Sequence, residues 1–166
     1  MIALKPLSRE AVPAALEKAE RYRLLNEPGE AESICLDVLD TEPDNQSARV
    51  ILVLALTDQF GDSPGAGHRA EEVLAEIRDD YEREYYRGIV AERRAKAQLS
   101  RGGPGGAIGA YEWLTEAMEA YERAEAIRSP GNDDPILRWN ACARVLMRHP
   151  HLGPAVDDRG ELEMLE

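Results

Sequence analysis

AMEAYERAEAI, residues 117–127, is the stretch whose reading decides the fold of this chain. Ala117, Tyr121 and Ala124 recur at intervals of four and three, so one helix face carries a small, a large and then a small side chain. Two helices approach closely where small residues meet, and a bulky neighbour fills the space beside the crossing. Ala19 and Gly88, in earlier segments of the same periodicity, are further small residues suited to a crossing.

Outward from this stretch the same pattern holds. Apolar residues recur at three and four, strand signals are nearly absent, and turn residues separate segments of helical length. The expected helices cover residues 12–25, 30–40, 46–59, 68–78, 81–100, 107–128 and a seventh reaching 148. Asn26, Pro28 and Gly29 break the first from the second, and Pro43 with Asp44 ends the second. The third, with VILVLAL at 50–56, is apolar on most of its circumference and is expected between neighbours. No Gly or Pro separates the fourth from the fifth. Asp79 and Glu82 have capping-box spacing, which places the turn there, one continuous bent helix being the alternative. Asp134 and Pro135 are expected as N-cap and first-turn proline of the last helix. The chain thus divides into an N-terminal extension (1–11), a helical domain (12–148) and an acidic C-terminal tail (149–166).

The array repeats, and over residues 12–148 it resembles the tetratricopeptide family, whose unit is a helix pair of about 34 residues closed by a proline. Ala19, Tyr22, Ala31, Cys35 and Pro43 fit the first unit; Gly88, Ala117, Tyr121, Ala124 and Pro130 fit the third. Trp139, followed by Cys142, Ala143 and Leu146, fits the last helix. The second unit departs: it lacks the proline and is lengthened by GDSPGAG at 61–67. The third is longer on both helices. The resemblance implies an all-α, right-handed array of about seven antiparallel helices.

Composition limits the function classes. Twenty basic against 32 acidic side chains leave a net charge of −12 over 166 residues. That opposes nucleic-acid binding, which needs cationic surface, and adhesion to an anionic membrane. No apolar run approaches the roughly 20 residues that span a bilayer, and the N-terminus lacks the pattern of a signal peptide. A cytoplasmic protein is expected, with Cys35 and Cys142 as buried reduced thiols.

Sites for chemistry are not assembled. The glycine-rich run at 101–109 lacks the Lys-Ser/Thr pair of a phosphate loop and follows a helix, so it reads as a turn. His149 and His151, with Asp157 and Asp158 nearby, have a proline between the histidines and no third anchored ligand. No catalytic residue, metal or cofactor is therefore expected. The fifth helix is the one basic stretch, with Arg83, Arg87, Arg93, Arg94, Lys96 and Arg101. Acids at its start and bases at its end suit the helix macrodipole; a patch that reads an acidic partner segment is the alternative.

The resemblance implies a binding groove lined by the first helix of each unit. By that register it takes Leu16, Glu20 and Arg23; Val50, Leu54 and Thr57; Tyr85, Ile89 and Glu92; and Asn140 and Arg144. The Lys/Asn clamp of chaperone-binding members is absent, because Leu16 and Glu20 occupy its first-helix places. The expected function is a non-catalytic scaffold or adaptor that binds another protein or peptide. A dedicated chaperone for a secreted protein, similar to type III secretion chaperones, and a self-associating module, homodimeric for example, are the alternatives.

Overall fold

The computed structural model describes residues 1–154. Among them are seven α-helices and no strand: α1 Val12–Leu24, α2 Pro28–Thr41, α3 Gln46–Thr57, α4 Ala66–Ala75, α5 Asp80–Arg101, α6 Gly106–Ile127 and α7 Asp134–Arg148. A single 3-10 turn, Arg9–Ala11, leads into α1. Most of the acidic tail expected from residue 149 onward lies outside the described residues. No helix among the described residues is long and apolar enough to cross a membrane.

Local chemistry sets the boundaries. Asn26 takes a positive φ of 60° after α1, a backbone conformation that asparagine tolerates better than most residues. Pro28, expected as a breaker, instead opens α2 in its first turn. Its missing N–H costs nothing there, since first-turn N–H groups have no helical acceptor. Asn45 caps α3 by accepting from the Ala48 N–H at 2.8 Å. Asp79 caps α5 by accepting from the Glu82 N–H at 2.8 Å, so α4 and α5 are separate helices as the capping-box spacing predicts. Helix α7 begins one residue earlier than expected, at Asp134, whose N–H donates to Asn132 Oδ1 at 3.2 Å. Between α5 and α6 the chain needs three positive φ values, met by Gly102, Gly103 and Gly105.

Each helix packs on the next, and α3 also touches both α1 and α5. Helix α3 is enclosed as its apolar circumference predicts: Ile51, Leu52, Val53, Ala55 and Leu56 are all buried. One apolar core joins α1 to α4 around Ala19, Ala31, Cys35 and Leu56. A second joins α5, α6 and α7 around Leu114, Ala117, Tyr121 and Cys142. Ala117 and Ala124 are fully buried, and Tyr121 between them is 0% exposed. Its ring lies against Gly88: a Cβ there would come within 2.6 Å of Cδ1 and 2.8 Å of Cζ. Gly88 is therefore a true crossing point of α5 and α6. Trp139 packs against the same core, and its Nε1 donates to Glu122 at 3.0 Å. Cys35 and Cys142 are buried free thiols.

Candidate functional site

The C-terminal ends of α1 and α3 and the C-terminal half of α5 are joined by side chains spaced at a constant interval. Arg23 Nε donates to Asp58 Oδ2 at 2.8 Å, across 35 residues of sequence. Arg93 Nη1 donates to Asp58 Oδ1 at 3.3 Å, again across 35 residues. Arg23, Asp58 and Arg93 therefore form one lateral row over three helices. Asn26, Gly61 and Lys96, each three residues further on, all line the same depression. Asp58 follows the last residue of α3, where the helix dipole disfavours negative charge. The two arginines offset that cost.

These rows wall a depression of about 560 Å³, which Ser100 and Arg101 also line. Four cations, Arg23, Arg93, Lys96 and Arg101, face one carboxylate, Asp58, among its lining residues. Arg101 donates to the Phe60 carbonyl at 2.8 Å and, among the described residues, brings its charge to the site paired with a neutral acceptor. Gly61, an exposed residue of the lining, faces open space, since a Cβ built on it would meet nothing within 4 Å. The patch is cationic in a chain whose net charge is −12.

The ion-paired row runs at an interval of 35, one residue longer than the step expected between the first two units. A unit of 34 pairs Arg23 with Thr57, whereas the structure pairs it with Asp58. One residue of slip turns a side chain about 100° around a helix, enough to exchange a groove position for a core position. Thr57 is accordingly buried at 4% exposure, and its hydroxyl donates to the Leu54 carbonyl at 2.7 Å.

Glu92 and Ile89 are buried too, at 1% and 8% exposure, and present almost no surface to a ligand. The Glu92 carboxylate accepts from the Tyr121 hydroxyl at 2.7 Å, from Lys96 Nζ at 2.8 Å and from Arg138 Nη2 at 2.5 Å. Burial alone would push this carboxyl up. The hydrogen bonds from Arg138, Lys96 and Tyr121, with the Arg138 charge, outweigh it and hold Glu92 below the usual carboxylate range. Burial raises the Tyr121 phenol, and the Glu92 charge raises it further. Glu92 thus ties α5, α6 and α7 together from inside.

The remaining expected positions divide. Leu16 and Val50 are half-buried against the first core, and Leu54 and Tyr85 against the second. The Tyr85 ring stacks on Tyr81 at 5.8 Å, meets Tyr86 edge-on at 5.2 Å and lies 5.9 Å from Tyr121. Burial pushes its phenol up to about 12. Glu20 and Arg144 are exposed and Asn140 is half-buried; none of the three lines the depression. Of the expected groove residues, Arg23 and Thr57 line it. The His149 and His151 rings meet edge to face at 5.6 Å, and Asp157 and Asp158 lie outside the described residues.

Sequence reasoning missed the pairing of Asp58 with two arginines. The signal available was the interval itself, an Arg, an Asp and an Arg at steps of 35 with the basic stretch of α5 at the end. Comparison with protein-family models, with curated proteins and with solved structures finds no match to this chain.

Proposed function

We propose that this chain is a non-catalytic scaffold that binds a segment of another polypeptide across the face shared by α1, α3 and α5. The carrying observation is the depression walled by two rows of equivalent residues at intervals of 35. Three features support a tetratricopeptide-like pairing of α1 with α2, α3 with α4 and α5 with α6. The interval is close to the family's unit of about 34. The first helices of the pairs touch one another, α1 on α3 and α3 on α5. Gly88 and Ala117 occupy close contacts where the family has small residues. Such an array presents an extended surface built from equivalent positions of successive units.

Bulk added to the lining tests the reading without altering charge. Gly61→Trp adds bulk where there is open space and no positive φ. Affinity capture from the source lysate is compared for the wild-type chain and for Gly61→Trp with an unchanged circular dichroism spectrum. A protein retained by the first and lost by the second supports the site. Identical capture by both overturns it.

A further inference from the structure

We propose that the occupant of this depression is a short, extended acidic peptide segment of about five or six residues, an inference that rests on the binding role given to the α1–α3–α5 face. Charge complementarity carries it. The lining carries Arg23, Arg93, Lys96 and Arg101 with Asp58 as its one carboxylate; even with Glu92 counted against Lys96, local charge is opposite in sign to that of the whole chain.

The bonds already made leave capacity for a ligand. Arg93 reaches Asp58 through one contact at 3.3 Å and its side chain is 40% exposed. Lys96 is 48% exposed and gives one bond to Glu92. Arg101 is exposed and bonded to a neutral carbonyl. A guanidinium has five N–H donors and an ammonium three, so each of these groups has donors to spare for an incoming carboxylate. Asp58 competes for the same arginines, in the place a ligand carboxylate would take.

Length follows from the packing. Neighbouring helix axes lie roughly 8–10 Å apart, so three adjacent helix ends span roughly 16–20 Å. Extended chain advances about 3.3 Å per residue, which gives the five or six residues. A long polyanion is disfavoured, because beyond the depression it meets the repulsive field of a chain carrying −12. The occupant is therefore an acidic peptide and not a nucleic acid.

The test is fluorescence anisotropy with three labelled probes: a hexapeptide containing three glutamates, its lysine counterpart and a single-stranded hexanucleotide. The acidic peptide should bind and the other two should not. Arg93→Glu and Arg101→Glu should each weaken it at least tenfold, while Arg78→Glu, outside the depression, should leave it unchanged. Asp58→Asn removes the internal competitor and should tighten binding severalfold, an effect that mere structural damage would not produce. Each variant is compared at an unchanged circular dichroism spectrum. Failure of the acidic peptide to bind wild type, indifference to the two charge reversals, weaker binding by folded Asp58→Asn, or equal binding of the oligonucleotide overturns the proposal. If Gly61→Trp abolishes capture of a protein yet the acidic probe does not bind, this chemistry is wrong and the scaffold role stands. If capture also ignores Gly61→Trp, both fall.

Discussion

Gly88→Ala adds one methyl group, and its effect can be worked out from the structure. Alanine is the better helix former by about 1 kcal/mol, so in an open helix the change would stabilise. Here the new Cβ would lie 2.6 Å from Tyr121 Cδ1 and 2.8 Å from Cζ, distances that force the ring to move. The ring is 0% exposed, and its hydroxyl is held by Glu92 at 2.7 Å. Overpacking of this kind costs about 1–3 kcal/mol, and a buried hydroxyl pulled from its acceptor about 1–3 kcal/mol more. After subtraction of the propensity gain, the expected net loss is about 1–5 kcal/mol. In a chain of this size each kcal/mol moves the melting temperature by about 2–4 °C. Urea denaturation of the wild type, of Gly88→Ala, of Tyr121→Leu and of the double variant gives all four free energies. In the Tyr121→Leu background the ring is gone, and Gly88→Ala should cost nothing or stabilise by up to about 1 kcal/mol. The effect therefore changes sign or vanishes. Stabilisation by Gly88→Ala in the wild type, or an equal loss in both backgrounds, would refute the crossing of α5 and α6 at this residue.

Further outcomes follow from other contacts. Asp79→Ala removes the acceptor of the Glu82 N–H at 2.8 Å and should cost about 1 kcal/mol in denaturant titration. Glu92→Ala orphans the Tyr121 hydroxyl while Arg138 and Lys96, at 32% and 48% exposure, relax toward water; a loss of about 2–3 kcal/mol is expected, below the range for fully enclosed pairs. Because the folded pKa of Glu92 is depressed, its contribution is present above the unfolded value of about 4.3 and is lost as pH falls through the folded value. Glu92→Gln should accordingly flatten the dependence of the denaturation midpoint on pH below about 5. Burial pushes the Cys35 and Cys142 thiols up to about 12, so Ellman's reagent at neutral pH should react with neither in the native chain and with both in guanidinium. Tyr85→Ala should cost about 3 kcal/mol of stability, as an aromatic ring in a packed cluster does, and leave the affinity for the acidic peptide unchanged; the reverse pattern would make Tyr85 an anchor.

Helix number and most boundaries were legible because they rest on local chemistry. The periodicity of α3, the Asp79 cap and the glycines after Arg101 each act within a few residues. The crossing at Gly88 was legible as well, since a residue without a side chain in a helix needs a packing reason. The site was less so. A groove position depends on helix rotation, and an error of one residue in the repeat interval carries a side chain about 100° around the axis. A shift of that size separates the expected Thr57 and Glu92, which are buried, from the ion-paired Asp58 and Arg93. Glu92 was also hidden by composition: among 32 acidic residues, one enclosed carboxylate has no distinguishing neighbour in sequence. Its partners Tyr121 and Arg138 lie 29 and 46 residues away.

Chemical-shift mapping reads directly whether the C-terminal ends of α1 and α3 and the C-terminal half of α5 form the binding face. Nitrogen-15 amide spectra of the full chain are recorded while the three-glutamate hexapeptide is added. The largest shifts should fall on Arg23, Asn26, Asp58, Gly61, Lys96 and Ser100, while the exposed faces of α2, α4 and α7 remain still. Shifts centred on any of those faces, or an unchanged spectrum at millimolar peptide, would contradict that placement.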